Sequence, residues 1–264
     1  MNWRLLVSRV PEEGARNMAV DEALWMNLET GGSTRPVLRL YEWEPPAFSL
    51  GRHQKASKVV DLDFCRQRDF GVVMRPTGGK VVLHQDEITY SVAAPLDAPA
   101  FSGGLAETYG AIAAALAGSL QILGLPATLE QRQRAASPKE PSPCFLVPTQ
   151  KEILVRGKKV IGSAQRRGRR AFLQHGSIPI RLDYEALALG TRNPLDCVRG
   201  YREAFAGLGE FIPGLDRDTL RSALVRGFRA TFPGNWEEAE LTPAELDLAR
   251  QIRCPLDPPV APIP

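Results

Sequence analysis

Residues 75–91 read RPTGGKVVLHQDEITYS. The Gly-Gly pair marks a turn that needs positive φ or a close backbone approach. It separates GVVMR (71–75) from KVVLH (80–84), and EITYSVAA (87–94) follows after a polar break. Short apolar runs bounded by turn residues predict neighbouring strands and not a helix. The pattern extends upstream, where VLRLYEW (37–43) is partly apolar on both alternating faces, as in a strand inside a sheet, before Pro45-Pro46 breaks it ahead of FSLG (48–51). Downstream, EILV (152–155) and KVIGSAQ (159–165) predict a hairpin with its tight turn near Gly157, and AFLQHGSIPI (171–180) predicts another strand.

Helical periodicity lies on either side of these strands. Glu13 to Leu28 places Val20, Leu24 and Leu28 four apart on one face, with Asn17 near that face and Asp21 beside it; Gly31-Gly32 ends the run. Leu105, Tyr109, Ile112, Leu116, Leu120 and Leu123 form a second apolar stripe, with Ser102 as the expected cap and Gly124-Leu125-Pro126 as the stop. Residues 128–143 carry three prolines and are expected to be a loop leading to Cys144. From 181 to 253 the pattern is mostly helical, notably Asp216–Thr231 and Thr242–Ile252, the latter opening on the capping-box spacing T-P-A-E. Strands in the first two thirds and helices in the last predict an α+β fold. The expectation is one domain over 1–253, helical from about 181, followed by CPLDPPVAPIP (254–264) as an extended, mobile tail.

Composition excludes several classes. At 264 residues, with 44% hydrophobic and 24% charged residues, the chain has an ordinary globular balance. No apolar run is long enough for a signal-peptide core or a membrane span, so a cytoplasmic setting with free thiols is expected. Cysteines 65, 144, 197 and 254 and histidines 53, 84 and 175 are too far apart for CxxC or HExxH sites, so no metal is expected. There is no GxGxxG and no GxxxxGK[ST], which removes the main support for dinucleotide binding and ordinary kinase chemistry. A net charge of +3 mildly favours acidic partners without announcing nucleic acid, and the densest basic cluster is Arg166, Arg167, Arg169 and Arg170.

Cys144, between prolines in PSPCF (141–145), and Lys159, opening an apolar run, raise the prospect of a thiol and an amine in one pocket. Singly, each has a plain structural reading: a small buried thiol, a solvated strand-edge lysine, a turn glycine pair, satisfied core histidines. Their co-occurrence is what carries weight.

RPTGGKVVLH resembles the R-x-T-G-G-x-x-V-x-H signature of the biotin and lipoate protein ligase family. GKKVIGSAQ (157–165) with LQHGSI (173–178) is similar to the family's second signature, and NMAVDEAL (17–24) and SLGRHQ (49–54) fall in the expected order, so the resemblance spans roughly residues 1–190. C-F-x-x-P-x-x-x-E (144–152) resembles the branch that moves octanoyl groups from acyl carrier protein through a cysteine, without ATP. Two departures stand out. Met74 replaces the first of a usual arginine pair, and Pro148-Thr149-Gln150-Lys151-Glu152 lacks the usual aromatic.

The resemblance implies a mixed, largely antiparallel sheet flanked by helices, related to class II aminoacyl-tRNA synthetases. It implies Cys144 as nucleophile and Lys159 as its partner, preferred to Lys158 by position in the motif. Arg75, Thr77, Gly78, Gly79, His84, Gly162, Ser163, His175 and Gly176 would line the acyl cleft. No cofactor is implied; the partners are octanoyl-acyl carrier protein and lipoyl-domain acceptors, with no nucleic acid and no membrane. Since a free thiol is only a few per cent ionised near neutrality, an ammonium beside it would favour the reactive thiolate, and the same amine would donate to the tetrahedral oxyanion. The rival readings are an ATP-dependent lipoate ligase, a lipoyl or octanoyl amidotransferase, a non-catalytic carrier-binding paralogue, and an RNA-binding module built on QRRGRR.

Overall fold

The computed structural model describes residues 1–130 and 152–252. The expectations attached to Cys144, to Lys151 and to the tail at 254–264 lie outside the described residues.

Eight strands form the main sheet in the order β11-β1-β2-β6-β10-β9-β8-β7. They are β1 (Asn2–Val7), β2 (Val37–Tyr41), β6 (Asp86–Pro95), β7 (Ala127–Leu129), β8 (Ile153–Val155), β9 (Lys158–Arg167), β10 (Ala171–Arg181) and β11 (Asn235–Glu238). β1 runs parallel to β2 and β11, and every other pairing is antiparallel. A second sheet, β4-β3-β5, is built from β3 (Ala47–Leu50), β4 (Gly71–Met74) and β5 (Val82–His84). The fold is therefore α+β with a mixed, largely antiparallel sheet.

Side-chain alternation divides the main sheet between two helical layers. Leu38, Leu40, Ile88, Tyr90, Val92, Phe172 and Ile178 join one core with α4 (Leu105–Ile122) and α7 (Arg217–Thr231). The opposite face buries Val37, Ala93, Ala171 and Leu173 against Ala19, Val20, Ala23 and Leu24 of α1 (Gly14–Glu29). The small sheet packs through Phe48, Leu50, Val72 and Leu83 on α5 (Tyr184–Gly190) and α6 (Cys197–Ala204). Two short helices, α2 (Ala56–Val59) and α3 (Leu62–Gln67), link β3 to β4. α8 (Pro243–Gln251) begins with the expected capping box at Thr242 and Glu245; Glu245 also receives the buried Arg4 guanidinium at 2.5 and 2.8 Å, which ties the last helix to β1.

Several local expectations need correcting. Residues 127–129 are strand β7, paired with β8, where a loop was expected from 128. The cap position of α4 is Gly104 and not Ser102; no side chain caps it, and Thr108 Oγ1 donates back to the Gly104 carbonyl at 2.8 Å. β11, within the stretch read as helical, adds a parallel edge to β1, where Trp236 stacks on Trp3 at 4.6 Å. The β8–β9 turn is as expected, with positive φ at Arg156 (50°) and Gly157 (81°), the geometry of a type I′ hairpin.

Candidate active site

Where the small sheet meets the α1-facing side of the main sheet lies a narrow pocket with a cavity volume of about 20 Å³. Arg75, His84, Gly162, Ser163, His175 and Gly176, all expected on resemblance, line it together with Met18, Tyr41, Trp43, Val82 and Ser49. The register explains the convergence: Tyr41, Thr89, Ser177 and Gly162 are consecutive cross-strand partners over β2, β6, β10 and β9, and His175 pairs with Ala164. Gly176 permits closeness no other residue would, because a Cβ there would lie 2.5 Å from the Gly162 carbonyl and 2.6 Å from the Tyr90 ring.

One side of the pocket is a closed polar chain. Asp21, fully buried on α1, accepts hydrogen bonds from Arg39 Nη1 (2.9 Å), Tyr41 Oη (2.8 Å) and His175 Nδ1 (2.9 Å). Burial opposes its charge, but the histidine hydrogen bond and Arg39 outweigh that and hold its carboxyl below the usual carboxylate range. Burial also pushes His175 below the usual imidazole value, opposed by Asp21 and reinforced by Arg75 and His84. His175 is therefore neutral near pH 7, with its proton on Nδ1 facing the carboxylate. Its Nε2 accepts from Thr77 Oγ1 at 2.7 Å, which places the expected Thr77 behind the pocket wall.

The other side repeats the motif. Glu87 Oε1 meets His84 Nδ1 at 2.8 Å, and His84 Nε2 meets Ser49 Oγ at 2.7 Å. The Thr89 and Ser177 hydroxyls also donate to Glu87, and Trp43 stacks on the His84 ring at 3.9 Å while its indole N–H donates to Thr89. Arg75 directs its guanidinium at the Ser49, Gly78 and Lys80 carbonyls, at 2.8, 2.8 and 2.6 Å, so it holds the TGG turn in shape. Gly79 has φ of 94°, which requires glycine, whereas Gly78 has open space where a Cβ would go and serves through its carbonyl. Because these polar groups satisfy one another, the wall they present suits an apolar chain.

Lys159 is not among the lining residues, yet it shares their sheet face. Ile153 pairs with Ile161 but Leu154 pairs with Lys159, one step along β8 against two along β9. On a regular strand residues 159 and 162 would point to opposite faces. The bulge restores Lys159 to the face of Gly162, about 10 Å along the strand. Lys159 is 5% exposed, so the solvated-edge reading fails for it, and its Nζ lies 2.6 Å from Oε1 of the equally buried Glu152. Lys158, by contrast, reaches Glu210 at 3.3 Å on the surface. Of the described cysteines, Cys65 is buried and its thiol is pushed up to about 12 by burial and then by Asp61, which makes it a poor nucleophile.

Of the basic cluster, Arg166 and Arg167 belong to β9. Arg166 pairs with Glu22 at 2.8 Å and lies 3.8 Å above the Trp25 ring, and Arg167 donates to Thr108 and to the Gly103 carbonyl. Glu29 accepts the backbone N–H groups of Arg169, Arg170 and Ala171, fixing the hairpin tip. Sequence reasoning gave no role to Asp21, Ser49, Glu87 or Glu152. All four lay inside quoted stretches, Asp21 in NMAVDEAL, Ser49 in SLGRHQ, Glu87 in the 75–91 run and Glu152 at the end of the cysteine motif, and an acidic residue beside an apolar helix face was the available signal for Asp21.

A family model described as the lipoyl protein ligase A/B catalytic domain matches residues 13–229. An octanoyltransferase LipM of Kyrpidia tusciae is 40% identical over 261 residues, covering 95% of this chain and 94% of that protein. Another of that name from Moorella thermoacetica is 36% identical over 259 residues with the same coverage. Among solved structures, a lipoate-protein ligase A bound with ATP aligns with TM-score 0.77 and 28% identity over 95% of this chain and 94% of that one. A structure described as a bi-partite lipoate protein ligase and its E2 lipoyl domain from Thermoplasma acidophilum aligns with TM-score 0.79 and 26% identity over 95% of this chain and 91% of that one. The architecture is that of a lipoate-ligase-type catalytic fold. The chain belongs to the lipoyl protein ligase A/B catalytic domain family.

Proposed function

We propose that this protein is an acyltransferase of protein lipoylation that moves an octanoyl group from octanoyl-acyl carrier protein to a lysine of a lipoyl domain, through an acyl thioester on Cys144. The observation that supports it most is a narrow, apolar-faced pocket on the same sheet face as a buried amine, in a chain similar over 95% of its length to octanoyltransferases. The Cys144 thiolate attacks the carrier thioester and expels the carrier thiolate, an exchange between like bonds. The acceptor amine then attacks the acyl-cysteine, an amide forms, the Cys144 thiolate departs, and the amine's proton is released.

Lys159 meets a carboxylate at 2.6 Å, so the field it extends to a nearby sulfur is that of an ion pair and not of a lone ammonium. That weights its role towards donating a hydrogen bond to the tetrahedral oxyanion. Lys159→Ala is expected to lower transfer by about 10²–10³ at every pH while leaving iodoacetamide alkylation of Cys144 little changed. Slowed alkylation with recovery of transfer at high pH would assign thiolate stabilisation instead. Lys158→Ala, on the surface, is the control; if it is the damaging change and Lys159→Ala the silent one, the assignment fails.

The test of the whole reading is intact mass after incubation with octanoyl-carrier, with and without ATP. The expected result is one octanoyl group gained without nucleotide and lost in Cys144→Ala, together with all transfer. A requirement for ATP would favour ligase chemistry, the activity named for the similar solved structures.

A further inference from the structure

The segment leaving β3, GRHQKASK (51–58), a loop that runs into α2, and the turn RPTGGK (75–80) pack on each other. The Arg52 N–H donates to the Thr77 carbonyl at 2.9 Å, and a Cβ on Gly51 would lie 2.1 Å from the Gly79 carbonyl. Together they gather Arg52, His53, Lys55, Lys58 and Lys80, and the Arg192 guanidinium joins them by donating to the Ser57 carbonyl at 2.9 Å. Residues 49–60 and 71–84 contain no aspartate or glutamate. The acids just beyond are engaged: Asp61 caps α3 and Asp63 pairs with Arg66.

Arg52, His53, Lys55 and Lys58 are exposed and form no ion pair among the described residues. Some exposed cations elsewhere, such as Arg181, Arg199 and Arg250, have a carboxylate partner, whereas Arg169, Arg170, Arg226 and Arg229 are exposed without an ion pair among the described residues and do not border the pocket. This rim also borders the pocket. Arg52 lies three residues beyond Ser49 and Lys80 two before Val82, within about 11 and 7 Å of chain, and both Ser49 and Val82 line the cavity. The arginine hairpin, the other dense basic cluster, has two of its four guanidiniums held by Glu22 and Thr108.

We infer that the rim of loops 51–58 and 75–80, and not the 166–170 hairpin, is the docking surface for the acidic protein domain that carries the acyl thioester. The inference rests on the octanoyltransferase reading. The positive charge of Arg52, Lys55 and Lys58, without an ion pair among the described residues, at the edge of an apolar pocket attracts a carboxylate-rich surface, raises its encounter rate and orients the acyl chain towards the opening.

The experiment compares Lys55→Glu/Lys58→Glu with Arg169→Glu/Arg170→Glu. It uses octanoyl-carrier, octanoyl-pantetheine as a thioester without a protein, and the lipoyl-domain acceptor. The rim variant is expected to raise KM for octanoyl-carrier about tenfold at low salt, with kcat retained and the effect fading beyond about 0.15 M ionic strength. KM for octanoyl-pantetheine should not move, and the hairpin variant should resemble the parent. An unchanged carrier KM in the rim variant, an equal rise for octanoyl-pantetheine, or a rise confined to the acceptor domain would each overturn the assignment. If the parent takes octanoyl from neither donor, the function reading fails first, and that outcome is distinct from all of these.

Discussion

The pocket has two histidine walls made to one pattern. In each, a buried carboxylate meets Nδ1 and a hydroxyl meets Nε2: Asp21–His175–Thr77 on one side, Glu87–His84–Ser49 on the other. They differ in what else the carboxylate holds. Asp21 also binds the 2% exposed Arg39 guanidinium, and so joins α1, β2 and β10 around a full charge pair. Glu87 binds the hydroxyls of Thr89 and Ser177, dipoles that rotate to suit what they face. The first wall has a fixed cation that must keep its counter-charge; the second has partners that adapt.

That contrast is most exposed by Asp21→Asn. The substitution leaves the Arg39 charge buried with Asn17 oxygens and a carboxamide, while Glu12, at 3.9 Å and partly in solvent, compensates little. A loss of about 3–5 kcal/mol in urea unfolding is expected. A loss under about 1 kcal/mol would show that the cluster does not depend on its charge pair.

Glu87→Gln should cost less, about 1–2 kcal/mol. The carboxamide keeps one acceptor, and the Thr89 or Ser177 hydroxyl can turn to accept from its NH₂ group. If Glu87→Gln proves as damaging as Asp21→Asn, the second wall is as rigidly charged as the first and the contrast disappears.

Much of this was legible in the sequence, for reasons tied to particular residues. The apolar stripe of α4 and the turn at Gly157 follow from local rules, and VLRLYEW announced a doubly covered strand. What sequence could not supply was non-local. The bulge that turns Lys159 towards the face of Gly162 depends on the register against Leu154. β7 and β11 are short and acquire their hydrogen bonds from neighbours distant along the chain, β11 from β1 across more than 200 residues. His84 and His175 carried two rival readings, satisfied core residue and pocket wall; the structure makes both true, because the partners that satisfy them lie on other elements.

The finest test of the comparison is pH. His175 is held below its usual value, so between that lowered value and about 6.5 the unfolded chain binds a proton that the folded chain refuses. The unfolded state then carries more protons, and stability falls as pH drops below about 6.5, with a slope of at most about 1.4 kcal/mol per pH unit from this one group. Asp21 acts in a lower window: its depressed carboxyl contributes stability above the unfolded value near 3.9, lost as pH falls through the still lower folded value. Between about pH 5 and 7 the slope therefore reports His175 and not Asp21. Urea midpoints measured across that range should decline on acidification in the parent and decline less in His175→Gln, which keeps a side-chain hydrogen bond available to Asp21 but has nothing to titrate. A variant as acid-sensitive as the parent would mean that His175 takes up its proton in the folded state without penalty, and that Asp21, with Arg39 beside it, still has charge to share.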